Sequence, residues 1–158
     1  MAPLTKASVA LKGLLTSLAD LVEAEWKPGN LPTEIKYRDS LLAFLRKSVP
    51  DDARLEREYR HGGTTADIYL SWQGVVFPDQ VFIEIKRDLR QKPSLDRLVG
   101  QLESLDPANR KVLLVLVGDT DEALLGRITE KYADHLRSTG NMEIAIVRPK
   151  RPRSSRSG

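Results

Sequence analysis

Between about residues 5 and 26, apolar side chains recur every three to four positions (Val9, Leu11, Leu14, Leu15, Leu18, Leu21, Val22), and the run stops at Lys27-Pro28-Gly29-Asn30. That spacing predicts one amphipathic helix closed by a turn. A second helix is expected over about 34–48, with Thr33 as its cap, a stripe of Tyr37, Leu41, Leu42, Phe44 and Leu45, and Pro50 as its stop. The period then shortens to two. Residues 54–60, 65–72 and 79–86 read as three strands, the first pair joined at His61-Gly62-Gly63-Thr64.

The helical period returns after Ser94, the expected cap of a helix over 95–106 that turns Leu95, Leu98, Val99, Leu102 and Leu105 inward. Lys111–Gly118 is almost continuously apolar, the pattern of a strand buried on both faces. A helix over 121–137 carries Leu124, Leu125, Ile128, Tyr132 and Leu136, ends near Gly140 and leads to a last strand at 142–147. Later strand-helix-strand units need crossovers that cover a sheet. The fold class is therefore α/β: a mixed central sheet flanked by helices on both faces. It is expected to be an αβββαβ core with an extra N-terminal helix and a C-terminal helix-strand unit. The domain reading is an N-terminal helical extension over 1–30, an α/β domain over 31–148 and a disordered basic tail over 149–158.

Composition narrows the function classes. The chain has 158 residues, 41% hydrophobic and 30% charged, enough for one domain with a real core. It has no cysteine, which excludes disulfide frameworks and thiolate metal sites and suits a reducing, cytoplasmic setting. No apolar run approaches the roughly 18–20 residues of a membrane span, and the N-terminus lacks the apolar core of a signal peptide. The net charge is +3, from 25 basic and 22 acidic residues; removing Arg148, Lys150, Arg151, Arg153 and Arg156 leaves 20 basic, so the body is near neutral. A basic Pro/Ser/Arg tail of this kind is suited to phosphate contact or to solubility.

The chemistry centres on Val81–Asp88, VFIEIKRD. Val81, Ile83 and Ile85 share one strand face; Phe82, Glu84 and Lys86 share the other. An exposed face with an ion pair accounts for the octamer by itself, so a partner carboxylate has to decide. Asp79, in the Pro78-Asp79 pair, lies five residues before Glu84 and points to the opposite face. Asp67 is on the preceding strand. If 65–72 and 79–86 form a hairpin that turns at Gly74–Phe77, its centre sets Asp67 opposite Glu84. Two opposed carboxylates repel unless a cation sits between them, so the pairing points to a hard divalent ion. On the second helix, the apolar stripe is centred near Glu34, which turns this acid toward the sheet, although the first turn of a helix favours an acid for dipole reasons alone.

Asp67 followed by Glu84-x-Lys86, within a helix-strand-strand-strand-helix-strand order, resembles the PD-(D/E)xK nuclease superfamily over about residues 33–118. The resemblance implies that Asp67, Glu84 and the Ile85 carbonyl hold magnesium or manganese and that Lys86 orients or activates the attacking water. Glu34 is similar to the acid many members carry on the first core helix. Gln101 is similar to a glutamine some members carry on the helix after the ExK strand, although Leu105 replaces the tyrosine of a full QxxxY. Ala66 stands where the name's proline would be. Arg87, Arg90, Lys92 and Arg97 follow the ExK strand and are the candidate phosphate contacts at the rim.

The resulting expectation is a metal-dependent nuclease acting on DNA in preference to RNA. The alternative is a catalytically inactive nuclease-fold module for nucleic-acid binding or protein assembly. A chain of this size offers little wrapping surface, and a homodimer would supply more.

Overall fold

The computed structural model describes residues 4–61, 63–73, 79–137 and 140–148. The first apolar stripe forms two helices, α1 (Lys6–Lys12) and α2 (Leu14–Glu25), in place of the one expected. Gly13 divides them: at φ +85° it adopts a conformation suited to glycine, ending one helix and starting the next. Helix α3 (Glu34–Ser48) begins as its spacing predicts, with the Thr33 hydroxyl accepting the Lys36 amide at 3.1 Å. Strands β1 (Arg54–His61), β2 (Thr64–Trp72) and β3 (Asp79–Arg87) follow.

Helix α4 (Lys92–Leu105) starts one residue after Gln91, with Pro93 in its first turn, three residues before the start that a Ser94 cap would set. Proline fits there because a first-turn amide has no intrahelical partner to lose. After β4 (Val112–Val117), the single helix expected over 121–137 is again two, α5 (Glu122–Lys131) and α6 (Ala133–Arg137). Tyr132 leaves the helical region at φ −104° and ψ 21°, and its buried hydroxyl donates to Glu103 at 2.8 Å. Strand β5 (Met142–Val147) completes the chain as described. The tail expected to be disordered, 149–158, lies outside the described residues, as do Gly62 and residues 74–78, which include the turn expected at 74–77.

The sheet runs β1-β2-β3-β4-β5, antiparallel across β1/β2 and β2/β3 and parallel across β3/β4 and β4/β5. Short connections allow the antiparallel pairs, whereas each parallel pair needs a helical crossover. Helices α1 to α3 cover one face, packing with Ile68, Leu70, Ile83 and Ile85; α4 and α5 cover the other with Tyr69, Phe82 and Leu114. All six residues of β4 are buried, as expected of a strand enclosed by two helical layers. The N-terminal helices share the apolar layer of α3. Among the described residues, no helix is long and apolar enough to cross a membrane.

The ends of β3 and β4 are locked together. Asp88 donates its amide to the Val117 carbonyl at 3.0 Å, and its Oδ1 accepts the Asp119 amide at 2.9 Å. Gly118 sits between them at φ +72°, where an added Cβ would collide with the Asp88 carboxylate. Gly118→Ala is expected to lower stability by about 2 kcal/mol or more through strain and overpacking, read as a lower urea midpoint at unchanged slope.

Candidate active site

The β2/β3 ladder pairs Trp72 with Asp79, Ser71 with Gln80, Leu70 with Val81, Tyr69 with Phe82 and Ile68 with Ile83. This is the register expected from the turn, and the next rung would set Asp67 against Glu84. There the ladder opens. In β3 the Phe82 amide bonds toward β4, at the Lys111 carbonyl, so the amides of Ile83, Ile85 and Arg87 face β2 by alternation. Beyond Ile83 no strand meets them, and carboxylates do so instead. The Ile85 amide donates to Asp67 Oδ2 at 2.8 Å, and the Arg87 amide donates to Glu34 Oε2 at 3.0 Å. In a strand, a residue's carbonyl points the same way as its amide, so the Ile85 carbonyl is aimed into the opening.

Glu84 is 5% exposed and Asp67 is half-buried. Burial pushes the Glu84 carboxyl up to about 9, helped by the charge of Asp67 and a hydrogen bond between the two side chains. Burial also raises Asp67, opposed by the Ile85 amide and by the hydrogen bond from Glu84. The two acids therefore titrate as one pair and favour sharing a proton, because two buried like charges in contact resist ionising together. Glu34 adds to the negative field at Glu84, and Lys86 opposes it. Lys86 Nζ lies 3.9 Å from Glu34 Oε2, with its side chain 19% exposed. Helix α3 thus brings Glu34 to the end of β3, where its Oε2 lies within reach of both the Arg87 amide and the Lys86 ammonium.

Other residues considered from the sequence lie elsewhere. Asp79 is at the far end of β3, where both its oxygens accept from Lys111 Nζ at 2.8 Å. Gln101 is exposed on α4, and its side chain makes no hydrogen bond to Asp67, Glu84 or Lys86. Of the rim cations, Arg90 pairs with Asp119 at 2.7 Å and Lys92 with Asp96 at 3.2 Å. Arg87 lies 3.5 Å from Asp88, and Arg97 is exposed.

Two further groups border Asp67. Glu58 on β1 falls opposite it, between the rungs Arg57/Ile68 and Tyr59/Ala66, and takes φ +52°. Its carboxylate pairs with Arg38 at 2.6 Å; Arg38 is 8% exposed and also bonds Asp39 at 3.1 Å. Arg38 draws the Asp67 pKa down while Glu58 pushes it up. Both were findable: Arg38 lies one helical turn beyond Glu34, and a turn centred between Gly62 and Gly63 pairs position 58 with position 67.

Among the described residues, no three acidic or histidine side chains enclose one point as a complete cation cage would. What converges is two carboxylates, a carbonyl direction and a lysine at the mouth of an opened ladder. Comparison with family models, curated proteins and solved structures finds no match to this chain.

Proposed function

We propose that this chain is a magnesium- or manganese-dependent nuclease that hydrolyses phosphodiester bonds, on DNA in preference to RNA by analogy with the superfamily it resembles. The observation that carries the reading is the buried Asp67–Glu84 pair at the point where β2 and β3 part, with Lys86 two residues on. A solvated strand face has no reason to bury two acids in contact at a cost in desolvation; perturbed carboxyl pairs of this kind concentrate at functional sites.

The donors suit a hard cation. Two carboxylates and a carbonyl leave most positions to water and phosphate oxygens, the usual arrangement for magnesium beside a phosphate substrate. Such an ion, held by Asp67, Glu84 and the Ile85 carbonyl, would neutralise charge on the scissile phosphate and acidify a nearby water. The chain's own residues do the rest. Glu84 gives up the proton it shares with Asp67, Glu34 holds Lys86 and the Arg87 amide in place, and the Lys86 ammonium stabilises the developing negative charge. The absence of cysteine agrees with a cytoplasmic protein.

The shared proton also favours a second reading, a catalytically inactive nuclease-fold module, since a proton held between the two carboxyls relieves their repulsion without an ion. Cleavage of labelled DNA and RNA with magnesium, manganese or chelator separates the two. Hydrolysis that needs the ion, and that falls about 10²–10⁴-fold at saturating substrate in Lys86→Ala with affinity unchanged, supports the nuclease. No ion-dependent cleavage of any substrate and no ion binding would support the module.

A further inference from the structure

The β1/β2 ladder is interrupted where it passes the carboxylate site. Rungs form from Arg54/Ser71 to Arg57/Ile68 and again from Tyr59/Ala66 to His61/Thr64, all in one register, so no residue is inserted and the rung between them, Glu58/Asp67, is left open. That rung would have been a strong one. The Phe82 amide faces β4, so Ile83 faces β2 and exchanges bonds with Ile68. Asp67, one residue before Ile68, turns its own amide and carbonyl to β1, where a rung with Glu58 would hold both. Toward β3 the ladder has already ended at Ile68/Ile83. Among the described residues, Asp67 is thus held by no rung on either side, while Ala66 and Ile68 on its flanks are.

The conformation of Glu58 accounts for the gap. At φ +52° it lies in the left-handed region, which an extended ladder cannot include and which crowds any residue with a Cβ. The other described non-glycine residues at positive φ are Asp88 and Asp106, short side chains that take this region readily and that stand just beyond β3 and α4. A glutamate inside a strand needs a cause outside itself, because such strain persists only where the surroundings impose it. Arg38 supplies that cause. Its Nη1 donates to Glu58 Oε1 at 2.6 Å, and its own place is fixed by burial and by a bond to Asp39 at 3.1 Å. The helix that brings Glu34 to the end of β3 therefore also anchors Glu58 beside Asp67.

Local ladder disruptions beside active sites serve to re-aim a side chain. Resting on the nuclease reading above, we infer that Arg38 and Glu58 are positioning residues for Asp67: by holding residue 58 in the left-handed conformation they keep the Glu58/Asp67 rung open, and the open rung lets Asp67 reach the Ile85 amide in the aim that takes the ion. Their influence passes through the backbone of residue 58. The Glu58 carboxylate is the handle by which Arg38 grips that backbone, and it is no ligand.

Glu58→Gly and Glu58→Val test this, since both remove the same carboxylate and differ in whether residue 58 can stay left-handed: glycine can, and a β-branched residue cannot. Hydrogen exchange of the Ile85 amide, followed by NMR in chelator, reads the aim of Asp67 directly, with the ladder-bonded Ile83 amide as the control. Glu58→Val should speed Ile85 exchange about ten-fold or more while Ile83 keeps its parental rate. The same variant should bind manganese about ten-fold more weakly by calorimetry. Glu58→Gly should match the parent in both. Arg38→Met should behave as Glu58→Val does, and Arg38→Met/Glu58→Gly should return to parental values, because glycine needs no guanidinium to hold it. If the Arg38 variants fail to fold by circular dichroism, the glycine and valine pair still decides, since the Glu58 side chain is 52% exposed. Parental Ile85 exchange in Glu58→Val overturns the inference. So does equal impairment in Glu58→Gly, which would place the effect in the carboxylate charge, or a joint loss of protection at Ile83 and Ile85, which would make the pair a general support of the sheet. The expected exchange pattern in a protein that neither binds manganese nor cleaves would sink the nuclease reading and leave Asp67 positioned as inferred; ion-dependent cleavage with Ile85 unmoved would do the reverse.

Discussion

Glu84→Gln is expected to make the ion-free protein more stable than the parent at alkaline pH and to flatten its stability profile. The fold raises the Glu84 carboxyl from its ordinary value of 4.5 to about 9, so the folded state prefers the protonated form. The associated stability is fully present below the unfolded value of 4.5 and is lost as pH climbs through about 9. Between those limits the unfolded chain holds fewer protons than the folded one, and stability falls by at most about 1.4 kcal/mol per pH unit. Asp67, raised by the same burial, adds a change of the same sign. Glutamine keeps the neutral shape and has nothing to ionise. Chemical unfolding in chelator from pH 5 to 9 should therefore show parent and variant converging at the acid end and separating at the alkaline end. Added magnesium should act oppositely, stabilising the parent most at high pH because the ion takes the site's proton position, by about 2.7 kcal/mol at a hundred times its dissociation constant. The variant should respond weakly. Parallel profiles for the two proteins would mean that Glu84 is ionised in the fold and that the proton-sharing description of the site is wrong.

The reason this site was legible is that its two acids belong to one hairpin. A side-chain period of two and a turn of known position fix which residues face each other, and a slip of one residue would have moved Ile83 and Ile85 out of the core. Helix boundaries were less legible because they turn on single residues. Gly13 interrupts an apolar stripe whose periodicity continues on both sides, and Tyr132 breaks a helix in order to bring a buried hydroxyl to Glu103. Periodicity reports which face is buried and is silent on such local exchanges. The pairing of the cations that follow β3 was illegible for a related reason. Arg90 and Lys92 are close to Lys86 in sequence, yet their charges are taken by Asp119 and Asp96. Gln101 follows the helical spacing of its resemblance and still faces solvent, since α4 turns Leu98, Leu102 and Leu105 to the sheet.

Asp67→Ala is expected to lower ion-dependent cleavage by about 10³-fold or more and to abolish ion binding, because it removes one of the two carboxylates that face each other at the opening. It should also destabilise the ion-free protein, in contrast to Glu84→Gln. Asp67 Oδ2 is the acceptor for the Ile85 amide at a point where no strand can replace it, and a buried amide left without a partner costs about 1–3 kcal/mol. Asp67→Asn separates the two effects. Its side-chain oxygen can still accept from Ile85 and its amide can donate to Glu84, so most of the lost stability should return, while the charge needed to hold a cation does not. Asp79→Ala, at the far end of β3, removes an ion pair with Lys111 that is partly exposed and should leave cleavage and ion binding as in the parent. Urea unfolding, calorimetric magnesium titration and single-turnover cleavage on these three variants give the check. Full cleavage in Asp67→Asn would show that the carboxylate serves only the Ile85 amide, and loss of cleavage in Asp79→Ala with Asp67→Ala intact would move the active site to the other end of the strand.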